Sequence, residues 1–169
     1  SLFSTVAEGN RFYGYLNSLQ VFIEAAMMFI APYIVNRIGA KQGLLLSGAI
    51  MALRMLASGV VDDPVSISMV KLLHALELPL LLVAIFKYIV VNFDSRLSAT
   101  IYLIGFHVFT QMVTTLLSPL VGELYDELGF ANAYLVLGGV VTTNLLLSAW
   151  LLEGRTGRHS AEMAKMTGG

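Results

Sequence analysis

The chain has no cysteine. That excludes a disulfide framework, a thiolate metal site and a thiol nucleophile. Charge is scarce as well: Asp, Glu, Lys and Arg make up 12% of 169 residues and sum to −1. A soluble domain carries roughly twice that charged fraction, and nothing here offers nucleic acid a basic surface. There is one tryptophan. No signal peptide opens the chain: SLFSTVAEGNRF is polar, lacks an initiator Met and reads as part of something longer. What fills the sequence is apolar, with 57% hydrophobic residues and a mean hydropathy of +0.78. Apolar runs of about 20 residues recur along most of its length, the pattern of an all-α, polytopic transmembrane protein.

Five spans are expected, at 13–35, 42–61, 65–91, 97–121 and 131–152, each long enough at ~1.5 Å per residue to cross ~30 Å of hydrocarbon. Residues 1–12 then form an outer loop and 153–169 a tail. Pro79 and Pro119 fall inside spans and are expected to bend them. The basic loops (Arg37 and Lys41; Lys87 and Arg96) and the tail (Arg155, Arg158, Lys165) alternate with acidic ones (Asp62 and Asp63; Glu123, Asp126 and Glu127). The positive-inside rule therefore places the N-terminus in the periplasm and the C-terminus in the cytoplasm. Trp150 sits near the cytoplasmic end of the fifth span, where an interfacial anchor is expected.

One internal echo joins two loops. Pro32 and Asn36 precede Arg37-Ile38-Gly39, and Gly122 and Asp126 precede Glu127-Leu128-Gly129. The copies are three spans apart and so on opposite faces, as an inverted three-helix repeat would place them. Shared turn chemistry is the plainer alternative.

The charges inside the spans are the most informative feature. VKLLHALELP sets Lys71, His74 and Glu77 at intervals of three, within an arc of about 120° of one helix. Glu24 lies ~16 Å in from the outer end of span one, Arg54 ~10 Å into span two and His74 ~14 Å into span three. All five groups fall in one slab near mid-membrane, where each ionised residue costs ~2.5–3.5 kcal/mol. Such groups persist when they pair or line a wet cavity. Glu24 and Glu77 can offset Arg54 and Lys71, leaving His74 over. Structural ion pairing is the bland alternative. A metal site is disfavoured, because besides His74-x-x-Glu77 the only histidines are His107 and His159. His107 is expected to be a buried, hydrogen-bonded histidine without an assigned role. Asn17, Ser18 and Gln20 on span one, and Thr110, Gln111, Thr114 and Thr115 on span four, can bind a polyhydroxyl ligand or join helices.

RFYGYLNSLQVFIEA, VNRIGAK, IMALR, VKLLHALELP and FKYIVVNFDSRLSATIYLIGF together resemble the oligosaccharide:proton symporters of the major facilitator superfamily, the group of lactose, sucrose, raffinose and melibiose permeases. The resemblance runs from about Arg11 to Leu152 and corresponds to spans eight to twelve of a twelve-span fold, part of the C-terminal six-helix bundle. It implies a proton-coupling set of Glu77, His74, Arg54 and Lys71, with Glu77 the carboxyl that carries the proton and Lys71 paired to an aspartate on span seven. It implies that Glu24 and His74, with Asn17 and Gln20, face the sugar. Arg37, Gly39 and Lys41 match the second-half copy of the superfamily's cytoplasmic loop motif, with Pro32 and Asn36 at positions where the fuller form has Gly and Asp. Val21 stands where lactose-type members carry a sugar-binding acid, and Thr110 where they carry a lysine. QVFIEA is closer to the sucrose type, so sucrose or a related α-linked disaccharide is the expected substrate.

The resemblance thus implies a proton-coupled sugar symporter, not an enzyme, working by alternating access in a bacterial inner membrane. Its coupling ion is the proton and it needs no other cofactor. Its partners are the sugar, the lipid bilayer, and the N-terminal half and span seven of the same transporter, the whole acting as a monomer. A non-transporting membrane sugar sensor on the same fold, and an intramembrane metalloenzyme, are the rival expectations.

Overall fold

The computed structural model describes residues 6–61, 63–93 and 95–167. Residues 1–5, Asp62 and the side chains from residue 152 onward, with Arg155, Arg158, His159 and Lys165 among them, lie outside the described residues. Every described element is helical: α1 (Val6–Ile38), α2 (Ala40–Val60), α3 (Pro64–Leu72), α4 (His74–Asn92), α5 (Ser95–Thr100), a π-helix (Ile101–Val108) and α6 (Phe109–Thr167). Four helical stretches are long and apolar enough to cross a membrane: Ala7–Ile38, Ala40–Val60, Val65–Asn92 and Arg96–Leu151. The last is 56 residues long, nearly three times what ~30 Å of hydrocarbon requires. It is interrupted at Gly129, whose φ of 75° and ψ of 168° are not helical, so the expected fourth and fifth spans lie on either side of that break.

Among the described residues, Gly39 and Gly129 have positive φ, at 93° and 75°. Both occupy the same place in the sequence echo, and in both the chain leaves one long helix and enters the next. A side chain at either would be strained, because the left-handed region crowds Cβ. The α2–α3 junction is built differently. Asp63 caps α3, its Oδ2 accepting from the Ser66 N–H at 3.1 Å, and Pro64 opens the helix where its missing N–H is not needed.

The expected third span tightens at Leu73, the residue between α3 and α4, which keeps helical angles (φ −59°, ψ −26°) while the Leu73 N–H bonds to the Val70 carbonyl and the Leu76 and Glu77 N–H groups both bond back to the Leu73 carbonyl. Pro79, buried in α4, removes a further backbone donor one turn on. The fourth span also departs from α geometry, through the π-helix, where the wider turn re-aims side chains.

Packing follows from small residues. α1 and α4 run parallel: Tyr13 meets Lys71 near one end and Val35 meets Lys87 near the other. Between α1 and α4 lies the core of Ala31, Val35, Leu80 and Ala84, with Met27 and Val83 packed on it. α2 lies antiparallel to α4; a methyl on Gly43 would stand 3.0 Å from Ala84 Cβ and 3.2 Å from a Val35 methyl. The other side of α2 is set against α6 beyond Gly129 through Gly48, Gly59 and Gly138. Elsewhere large apolar side chains such as Phe29, Leu116 and Trp150 are exposed, as helices facing lipid or further chain must be.

Candidate functional site

The α1 residues Gln20, Met27, Ala31 and Val35 are buried or half-buried and recur at spacings that put them on one face. That face meets α4. Its inner half is apolar and closes the core. Its outer half carries Gln20 and Glu24 where aliphatic side chains would continue the seam. His74 and Glu77 likewise lie between the Tyr13–Lys71 and Val35–Lys87 contacts. The polar groups therefore share one stretch of the bundle.

Glu77 is the most enclosed acid, 4% exposed. Arg54 reaches it from α2, Nε donating to Oε2 at 2.9 Å. His74 is one turn away but not bonded: its Nδ1 is 3.8 Å from the same oxygen, beyond hydrogen-bond range, and that buried nitrogen has no partner. Glu77 is thus held by Arg54, with the imidazole adjacent and uncommitted. A modest approach of His74, or retreat of Arg54, exchanges one donor for the other.

Lys71 is placed elsewhere. The helix tightens at Leu73 but keeps helical angles there (φ −59°, ψ −26°), so Lys71 stays one turn outward of His74 and is engaged by α1 rather than by an acid. Its Nζ donates to the Tyr13 hydroxyl at 2.7 Å and lies 4.2 Å from that ring's centroid, which stabilises the ammonium through the ring's negative face as well. The expected charge balance is corrected accordingly. Glu77 offsets Arg54, but Glu24 does not offset Lys71; Glu24 is half-buried and forms no ion pair among the described residues.

The remaining polar residues divide by what they already bond. Ser18 donates to the Gly14 carbonyl at 3.0 Å and Thr115 to the Gln111 carbonyl at 2.8 Å, so the backbone satisfies both hydroxyls. Gln20 is different: 8% exposed, with a buried Oε1 that has no partner. Asn17, one turn outward, is exposed. His107, expected to be buried, is exposed in this part of the bundle and lies within the π-helix, its ring 5.4 Å from that of Tyr102 and 5.5 Å from that of Phe106. With Gln111 and Thr115 it lines a groove of about 580 Å³ on span four. Among the described residues no three His, Asp or Glu side chains gather as a metal-ligand set.

At the loop motif, Lys87 reaches from α4 to the end of α1, its Nζ donating to the Val35 carbonyl at 3.1 Å and to Asn36 Oδ1 at 2.8 Å. A cation on the last carbonyls also complements the helix dipole. Arg37, Gly39 and Lys41 lie beside this clamp in sequence, so the motif is anchored through Asn36, one of the two positions where this chain departs from the fuller form. Tyr13 and Lys87 escaped the reading of the sequence. Tyr13 opened the first apolar run and Lys87 was read only as a topological charge, and neither spacing nor polarity announces a contact between residues more than fifty positions apart.

The chain matches the family model of the LacY proton/sugar symporter over residues 1–164. It is 46% identical over 152 residues to the sucrose permease of Escherichia coli, 45% over 157 residues to the raffinose permease of Escherichia coli, and 42% over 154 residues to a lactose permease of Citrobacter freundii. These alignments cover 90%, 93% and 91% of this chain and 37% of each relative, so the chain spans little more than a third of the length of the relatives it matches.

Proposed function

Because the chain belongs to the LacY proton/sugar symporter family, we propose that it forms part of a permease that couples downhill proton entry to disaccharide uptake by alternating access. In this reading it is a multi-pass segment of a bacterial inner membrane, its N-terminus periplasmic and its C-terminus cytoplasmic, completed by further spans of the same transporter. The observation that carries the reading is the Arg54–Glu77–His74 arrangement: a carboxylate buried in a membrane span, held at 2.9 Å by a guanidinium, with an unpartnered imidazole nitrogen 3.8 Å away. A purely structural ion pair does not need the second, uncommitted donor.

Glu77 takes a proton from the outer side, which weakens its hold on Arg54. Sugar then binds against Glu24, Gln20 and Asn17 of α1 and His74 of α4. The loaded carrier reorients, sugar leaves inward, and recovery of the Arg54 contact helps expel the proton to the cytoplasm. His74 links the two events because its buried Nδ1 lies beside the proton carrier while the rest of its ring is partly exposed and can meet the ligand. Lys71, held by Tyr13, keeps its charge at the outer edge of this region. Sucrose or a related α-linked disaccharide is the substrate we favour, from the QVFIEA pattern around Glu24.

The test uses the full-length permease in cells devoid of other disaccharide carriers. Sucrose, raffinose, melibiose and lactose are each offered, and accumulation is followed together with alkalinisation of a weakly buffered medium. Accumulation of at least one sugar against its gradient, with proton uptake in step, is expected. Binding of sugar without accumulation or exchange would instead identify a sensor and reject the symporter.

A further inference from the structure

Three helices meet at Val35. Its side chain is fully buried in the core shared by α1 and α4, and a methyl on Gly43 of α2 would stand 3.2 Å from it. Its carbonyl is taken by Lys87 of α4, whose Nζ donates to it at 3.1 Å and to Asn36 Oδ1 at 2.8 Å. One ammonium therefore ties the inner end of the α1–α4 seam at the point where α2 joins it. Glu77 lies ten residues outward on the same helix, about 15 Å away, so the tie and the mid-span acid are carried by one rod.

Both acceptors are neutral. A lysine reaching across to a neighbouring helix is held hardest by a carboxylate, because charge attraction adds to the hydrogen bond. Lys87 meets a peptide carbonyl and an amide instead, and its contact with Asn36 is open to solvent. Water can take the place of such acceptors at little cost, since it offers the ammonium an equivalent hydrogen bond. The apolar part of the seam has no such exchange: Ala31, Val35 and Ala84 are fully buried. We propose that Lys87, Asn36 and the Val35 carbonyl form a releasable latch at the inner end of the α1–α4 seam, opened and closed in each transport cycle, and that the neutral amide of Asn36 sets how readily it opens. Asn36 and Lys87 are then positioning residues. Neither handles sugar or proton, and together they govern how fast the seam changes shape. The inference rests on the symport reading above, which places this end of the helices in the cytoplasm.

The experiment uses the full-length permease in membrane vesicles, with counterflow normalised to protein amount. The sugar is whichever of sucrose, raffinose, melibiose and lactose the unmodified permease exchanges best. Asn36→Asp keeps the size of the side chain and turns the latch into an ion pair. It should slow the maximal rate of counterflow roughly fivefold, the upper end for a partly exposed ion pair, with the half-saturation concentration unchanged. The slower protein should also be the more stable one, its thermal midpoint in detergent raised above that of the parent. Both effects should need the lysine: Asn36→Asp combined with Lys87→Met should run at the rate of Lys87→Met alone. An Asn36→Asp permease with the parent's maximal rate shows that the contact does not open in the cycle and overturns the latch. Slowing that persists without Lys87 belongs to the added charge, and slowing with a lowered thermal midpoint or weakened sugar affinity belongs to damaged packing; either result overturns it as well. If the unmodified permease exchanges none of the four sugars, the symport reading itself fails, whereas the preceding outcomes reject the latch and leave that reading standing.

Discussion

Glu77 and Glu24 lie on packed neighbours, α4 and α1, and differ in what faces them. Glu77 is enclosed and bound by Arg54 at 2.9 Å; Glu24 is half-buried and forms no ion pair among the described residues. A carboxylate that is tightly paired in the absence of ligand is suited to being uncoupled and recoupled, which is what a proton carrier does. One left without a cation is suited to accepting hydrogen bonds from something that arrives. In the proposed function the same functional group would thus serve two tasks, set apart by the presence or absence of one guanidinium.

That contrast can be broken most completely at Glu77. Glu77→Gln mimics a permanently protonated acid. Sugar accumulation by the full-length permease should fall to background while exchange of labelled sugar in vesicles persists. Were Glu77 merely structural, Arg54 would be left buried and uncompensated at a cost of ~3–5 kcal/mol, and exchange would disappear in parallel with accumulation. Next in size is Arg54→Lys, which keeps the charge but not the directed Nε donor; active transport should drop severely with insertion intact, and normal transport would remove Arg54 from the mechanism. Glu24→Gln sharpens the other side. It should leave expression unchanged and weaken sugar binding roughly ten- to a hundredfold, as loss of hydrogen bonds to a charged acceptor does, with the Arg54–Glu77 machinery untouched; unchanged affinity in an equilibrium binding assay rejects the role. The smallest effect is expected at Lys87→Met, which strips the clamp from the end of α1 without touching either acid. About 1 kcal/mol of stability should be lost, seen as a small fall in the thermal midpoint of the detergent-solubilised permease, with sugar affinity unaltered.

Much of the fold was legible because hydrocarbon imposes simple rules on the sequence. Long apolar runs announce helices, and the echo around Gly39 and Gly129 announces two turns, which proved to share a positive φ. Arg54, His74 and Glu77 stood out because charge in a membrane is expensive, and the structure brings those three together. The destination of Lys71 was not legible. Equal spacing places residues on a common face but does not name the neighbour each will meet, and nothing in VKLLHALELP points to Tyr13 on another helix. For Glu24, counting charges does not locate partners: among the described residues it forms no ion pair with Lys71. For His107 the surroundings were not legible, because hydropathy does not say which elements pack against a given face of a span.

The three glycines between α2 and the far part of α6 have a mechanical consequence. A methyl on Gly59 would stand 2.9 Å from the Ala131 carbonyl oxygen, one on Gly138 would meet Leu56 Cδ2 at 2.8 Å, and one on Gly48 would meet Leu145 Cδ1 at 2.9 Å. Three such interlocks along one interface act as teeth on a rack: neither helix can slide along the other without a side chain riding over backbone. In the proposed cycle such a pair would move as one body, and since α2 carries Arg54 while α4 carries Glu77, a change in the separation of the two side chains would report a shift of α4 against it.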